Sequence, residues 1–233
     1  MSNKLLFEHY KGFLEITTSK TSHIINYTKE PLDDIFENDF TFVATISLSG
    51  QPSREGIIRI HGPVTGLYSN ANYLGWETAT VLSSKDFEID SIGNLVESLD
   101  GVCCIVKREN NIQVTYNGKL IASTTLKNSI YPYSKDRFNN IVLGATSIHH
   151  DEWQEASNCS FFNFAGFKTA LSNTVLKEIT NGHNFEICKN GLNLNNVEPK
   201  VYYDFENAGA AAVFDASHNG NVGMMYYAKI EKQ

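Results

Sequence analysis

Apolar residues recur along the chain in short runs, many alternating with polar ones, and Gly, Asn, Asp or Pro punctuates the gaps. A period of two marks a strand with one buried face, so the pattern predicts many strands and few helices. The predicted strands begin with Leu5–Phe7, Phe13–Thr17, Ile24–Tyr27, Phe40–Leu48, Gly56–His61, Leu67–Ser69 and Thr78–Leu82. They continue with Phe87–Ile89, Val102–Lys107, Ile112–Tyr116, Lys119–Thr125, Ile141–Ala145 and Cys159–Lys168, and end with Lys200–Phe205, Val213–Phe214 and Met224–Ile230. Asn117-Gly118 is the firmest turn, because a two-residue hairpin of type I′ needs positive φ at both positions. With a tighter turn over Glu109–Asn111, it makes residues 102–126 a meander of three antiparallel strands.

One segment has a helical period. Asn173 to Thr180 puts Val175, Leu176 and Ile179 on one face. Ser172 can cap the first turn through its hydroxyl. Leu171 and Leu176 stand at the positions of a hydrophobic staple, and Gly182 falls past the end. A helix this short does not stand alone in water, so it must lie against a sheet.

Length and composition agree with a single all-β domain. A chain of 233 residues suits one sandwich, and 42% hydrophobic residues is ordinary. No apolar run approaches the roughly 18 residues of a membrane span. Charges at Lys4, Glu8, Lys11 and Glu15 interrupt the opening segment, so no signal-peptide core is expected. Net charge is −7 with both signs mixed along the chain, and no Lys/Arg cluster suits a phosphate backbone, which argues against nucleic acid. Cys103, Cys104, Cys159 and Cys188 lack Cys-x-x-Cys spacing and are expected to be reduced and buried.

Several stretches carry a family resemblance. Ile141-Val142-Leu143-Gly144-Ala145, the polar loop Thr146 to Asn158, the strand from Cys159 and the Ala170-Leu171-Ser172 helix start resemble the closing part of a laminin-G/pentraxin-like domain. "VTYNGKLIAST" resembles the central strand–turn–strand unit of such domains, and "FTFVATISLSG" with "REGIIRI" resembles their opening pair. "VYYDFENAGAAAVFDASHNGNVG" is similar to a signature of the same superfamily, with His218 in place of a Gly and Ala208 where an acidic residue or Gly is common. In many relatives that signature opens the domain; here it falls last, as in a permuted edge or the start of a second unit. The resemblance spans residues 38 to 225 and implies an all-β, concanavalin A-like jelly-roll sandwich of two antiparallel sheets with one short helix. Residues 1–37 fall outside it, either as strands added to the sandwich of 38–233 or as an arm that docks on a neighbouring subunit.

What the resemblance implies for chemistry is mostly binding. Glycanases of this fold carry paired carboxylates at alternate positions of one strand. Glu88-Ile89-Asp90 begins that pattern, with Asp86 before it, but Ile92 and Gly93 stand where the second Glu is needed. No catalytic residue is therefore expected. His149-His150-Asp151-Glu152 crowds possible ligands together without a second pair, and reads as a solvated loop. Calcium is the metal the resemblance suggests, with Asp215, Asn219 and Asn221 as oxygen donors; the competing reading is side-chain turns to the backbone.

Sugars are held by aromatic stacking and oriented hydrogen bonds. The best candidate is a surface loop over Gly66–Trp76 with Tyr68, Asn70, Asn72, Tyr73 and Trp76, followed by Trp153, Tyr131 and Tyr133; core packing is the alternative for Tyr68 and Trp76. The expected function is a non-catalytic structural or adhesive module of a bacteriophage virion (head decoration, head fibre or tail protein). Its expected partners are host-surface glycan, other virion proteins and further copies of itself. The alternative is a free-standing lectin or a carbohydrate-binding module of a glycan-processing system.

Overall fold

The computed structural model describes residues 3–7, 13–16, 35, 38–61, 65–81, 87–125, 141–145, 147–149, 152–154, 157–182, 198–205, 211–217 and 219–232. The predicted strand Ile24–Tyr27, together with Tyr131 and Tyr133, lies outside them.

Strands β1 (Lys4–Phe7), β2 (Phe13–Ile16), β3 (Phe40–Ser47), β4 (Arg54–His61), β5 (Thr65–Asn70) and β6 (Tyr73–Val81) form the first third. β7 (Phe87–Leu95), β8 (Asp100–Arg108), β9 (Asn111–Tyr116), β10 (Lys119–Thr125) and β11 (Ile141–Leu143) follow. Then come β12 (Ser147–His149), β13 (Glu152–Gln154), β14 (Ser160–Phe167) and helix α1 (Asn173–Gly182). The chain closes with β15 (Val201–Tyr203), β16 (Ala212–Phe214), β17 (Val222–Tyr226) and β18 (Ala228–Glu231).

They assemble into two eight-stranded sheets and a small β12–β13 hairpin. Sheet A has the order β10-β9-β8-β3-β14-β1-β18, with β15 also paired to β14. Sheet B runs β16-β17-β2-β11-β4-β5-β6-β7. Every described pairing is antiparallel, so the expected two-sheet jelly-roll sandwich is the observed fold.

Alternation builds the core. Phe40, Phe42, Ala44 and Ile46 of β3 face Ile58, Leu67, Leu74 and Trp76 of sheet B within one buried cluster. Val43, Val102, Cys104, Val106, Ala165 and Phe167 turn to the other face of sheet A, where Leu171, Val175, Leu176 and Ile179 cover them. Helix α1 therefore seals the outside of sheet A. Ser172 caps it as expected: its hydroxyl accepts from Val175 N at 3.4 Å and its carbonyl from Leu176 N at 3.0 Å. Thr41 fixes the approach, since its hydroxyl donates to Thr169 O and accepts from Leu171 N, both at 2.9 Å.

The Asn117-Gly118 turn has φ of 50° and 75°, as a type I′ hairpin requires. The Asn117 amide oxygen also accepts from Val102 N at 2.9 Å, so the turn ties back to β8.

Four local expectations need correction. Helix α1 runs on to Gly182 rather than stopping short of it. The polar stretch Thr146–Asn158 contains the β12–β13 hairpin, whose strands SIH and EWQ each carry a single apolar residue and so no apolar run. Met224–Ile230 is two strands, because Tyr227 takes φ of 45° and sends the chain from β17 in sheet B to β18 in sheet A. The last signature starts no second unit: β15 joins sheet A, and β16 and β17 join sheet B. Near the start, β1 lies between β14 and β18, and β2 between β11 and β17.

Two outcomes follow from this packing. Ser172→Ala removes the cap and should cost about 1 kcal/mol, lowering Tm by about 2–4 °C in a thermal melt followed by circular dichroism. Burial pushes the Cys104 thiol up to about 11 and the Cys159 thiol up to about 12, and holds Cys103 well above its usual value. At pH 8 only about one Cys104 in a thousand is thiolate, so these three should resist Ellman's reagent in the folded protein and react once guanidinium unfolds it.

Candidate ligand-binding face

Sheet B has an outward face of a different character from the helix-covered one. Its strands β4 to β7 set residues in three ranks of cross-strand partners. The first rank is Arg54, Asn70, Tyr73 and Leu95. Gly56, Tyr68, Gly75 and Gly93 form the second, and Arg59, Gly66, Glu77 and Ser91 the third. The residues between them, Leu67, Leu74 and Trp76, are fully buried against sheet A, which forces the ranks outward. Access is confined to one side of the ranks: Asn70, Ser91 and Leu95 are exposed and Arg54, Tyr73 and Gly93 half-buried, whereas Gly56, Arg59, Gly66, Tyr68, Gly75 and Glu77 are buried.

Glycines make this face flat. A Cβ on Gly75 would stand 2.6 Å from the Tyr68 ring, and one on Gly93 would stand 2.8 Å from Tyr73 Cζ and 2.4 Å from Leu74 O. The two tyrosine rings thus lie over glycine positions of the sheet, with centroids 6.0 Å apart. Above Tyr68 sits the Arg54 guanidinium, 4.3 Å from the ring centroid, and its Nη2 donates to a Glu77 carboxylate oxygen. The Tyr68 hydroxyl shares a 2.6 Å hydrogen bond with Ser91 Oγ. Tyr68 is therefore nearly closed, whereas Tyr73 stays half-buried and Asn70 exposed. Burial and the neighbouring Tyr68 hydroxyl push the Tyr73 phenol up, so it stays protonated at neutral pH. In the third rank Arg59 is fully buried; burial lowers its pKa to about 10, and Glu15 works the other way.

The hairpin tip is held on both sides. Ala71 N donates to Gln51 O at 2.7 Å, and Asn72 O accepts from Val96 N at 2.8 Å. Ala71 adopts φ of 52°, a left-handed conformation that Gly would take more readily.

The predicted site residues divide accordingly. Gly66–Trp76 is a β-hairpin rather than a surface loop, because a two-residue turn over Ala71-Asn72 leaves strands on both sides. Tyr68, Asn70 and Tyr73 come together on the outward face, with Asn72 at the adjoining tip. Trp76 is a correction: it is fully buried between the sheets, and its indole nitrogen donates to Thr78 Oγ1 at 2.9 Å. Trp153 belongs to the β12–β13 hairpin opposite Ile148, with its side chain outside the described residues. Arg54, Glu77 and Ser91 were missed. Their signal is the two-residue alternation of β4, β6 and β7, readable once the hairpin is recognised.

Of the three calcium candidates, the carboxylate is committed to hydrogen bonds of its own. Asp215 Oδ1 accepts from Tyr202 N at 2.8 Å and Ser217 N at 2.9 Å, and Oδ2 accepts from Asn221 N and Nδ2, both at 3.1 Å. A carboxylate offers about four lone-pair sites, and all four are taken. The Asn219 amide donates to Pro199 O, Lys200 O and Ser217 Oγ at 3.2, 3.3 and 3.1 Å, and Asn221 to Lys200 O at 2.6 Å. Together they lace the β16–β17 connection to the start of β15. Among the described residues no group of three or more His, Cys, Asp or Glu side chains could hold a metal. On β7, Asp90 is exposed opposite Thr78, and Ile92 and Gly93 follow it without a second carboxylate.

No protein-family model matches the chain, and no curated protein matches its sequence. Solved structures do share its fold. A proposed carbohydrate-binding protein from Bacteroides ovatus superposes with a TM-score of 0.65 at 10% identity, covering 100% of this chain and 60% of that one. The chain thus spans about 60% of that neighbour's length. The CBM40 domain of the Ruminococcus gnavus IT-sialidase, solved with α2,3-sialyllactose, gives 0.51 at 15% identity over 66% of this chain and 91% of its own. At such identities the likeness establishes the fold.

Because Asp215 serves the backbone, Asp215→Ala should destabilise the protein by about 2–4 kcal/mol. Millimolar calcium or EDTA should leave the wild-type Tm unmoved; a calcium-dependent rise would show that the ion displaces these hydrogen bonds.

Proposed function

We propose that the protein is a non-catalytic carbohydrate-binding module that holds glycan on the outward face of β4–β7. The observation that carries this reading is the half-buried Tyr73 ring lying over Gly93, flanked by Asn70 and the Arg54–Tyr68–Ser91 cluster. A flat ring with polar groups at its rim suits a pyranose, whose C–H face stacks while its hydroxyls exchange hydrogen bonds. Tyr68, pinned by Arg54 and Ser91, keeps the platform rigid, so little is lost in ordering it on binding.

The fold supports the same reading. The Bacteroides ovatus protein is proposed to bind carbohydrate, and the Ruminococcus gnavus domain was solved with a sialylated sugar. Since identity is low, these neighbours support the class of ligand and carry over no residue. The narrower reading, a self-associating module on a bacteriophage virion, has the sequence resemblance as its sole support.

A glycan array probed with the labelled chain tests the proposal. Binding to one sugar class is expected, and Tyr73→Ala should weaken it roughly tenfold or more while the melting curve stays that of a folded protein. Retained affinity in that folded variant would move the site elsewhere.

A further inference from the structure

Resting on that reading of the β4–β7 face, we infer that the site selects neutral sugars and rejects those bearing a carboxylate. The reason lies in how Arg54, the one cation of the three described ranks that reaches solvent, is used. Arg54 is the guanidinium of the first rank, and it is already paired with Glu77. The Glu77 side chain is only 5% exposed against 34% for Arg54, so the carboxylate sits beneath and the cation closes over it. The flat face of the guanidinium is occupied as well, by the Tyr68 ring.

A sugar carboxylate brought to Arg54 would therefore stand beside the Glu77 carboxylate, two anions sharing one cation where water is scarce. Like charges at such separations repel strongly when poorly solvated. Building an unmatched charge against the wrong ligand is a general route to specificity. Among the described residues of the three ranks Arg59 is the other cation, and it is fully buried in the same rank as Glu77, with Glu15 acting on it. The chain's net charge of −7 adds a repulsive background. Among the described residues, what remains for a ligand is neutral: the Tyr73 phenol, the Asn70 amide, the Ser91 hydroxyl and the backbone of the hairpin tip. Phenol and amide groups both donate and accept, which matches hydroxyl and acetamido groups.

The test compares sugars that differ in charge. Lactose, cellobiose and digalactose are titrated by calorimetry beside the matching uronate disaccharides and sialyllactose. Neutral sugars should bind about tenfold or more tightly than their acidic counterparts. Glu77→Gln, which keeps the shape and removes the competing anion, should narrow that ratio by about tenfold through a gain for the acidic sugars.

Equal or tighter binding of uronates by the wild type would overturn the inference and leave the glycan reading standing. So would a folded Glu77→Gln protein with an unchanged ratio. If that variant fails to fold, the wild-type ratio decides alone. Binding of none of these sugars, neutral or acidic, would sink the glycan reading itself.

Discussion

Alternation along β5–β7, with β4 fitted to them through two register shifts, is the constraint on which the rest of the structure turns. Leu67, Leu74 and Trp76 must face sheet A, and a slip of one residue in any of these strands would expose all of that strand's inward residues. Truncating a fully buried aromatic such as Trp76 costs on the order of 3–5 kcal/mol, so the register is strongly held. Once it is held, Arg54, Tyr68, Tyr73, Glu77 and Ser91 have no choice of face. The core thus positions the candidate site without touching its chemistry.

The two outer faces of the sandwich have different fates. Sheet A presents Val43, Val102, Cys104, Val106 and Phe167, an apolar surface that water would penalise, and helix α1 covers it. Arg108 reinforces the cover by donating to Leu171 O at 2.5 Å. On sheet B the outward positions of β4–β7 are instead glycines, tyrosines and a compensated ion pair, accessible mainly at Asn70, Tyr73 and Ser91. Glycine floors let aromatic rings lie flat on the sheet, which costs strand propensity at Gly75 and Gly93 but yields a planar surface. The closing strands bind the two sheets into one unit: β17 pairs with β2 in sheet B, the chain crosses at Tyr227, and β18 pairs with β1 in sheet A.

Much of the architecture could be read from the chain. The strand series, the Asn117-Gly118 hairpin and the Ser172 cap follow from local rules, because each depends on residues a few positions apart. β12 and β13 escaped for the converse reason: SIH and EWQ each hold one apolar residue between polar ones, with no apolar run to mark a strand. The site was half legible. Tyr68, Asn70 and Tyr73 stood out as aromatic and amide groups close together, yet the same reasoning counted Trp76 among them, since composition does not say which way a side chain points.

By itself the sequence determined an all-β sandwich with one docked helix, because periodicity and turn chemistry are local properties. Tertiary structure alone decided that Trp76 is core, that Asp215 spends its oxygens on backbone amides, and that Arg54, Glu77 and Ser91 join the tyrosines. Those facts depend on strands brought together from as far apart as β4 and β7. Pairing across a sheet juxtaposes residues that no window along the chain contains.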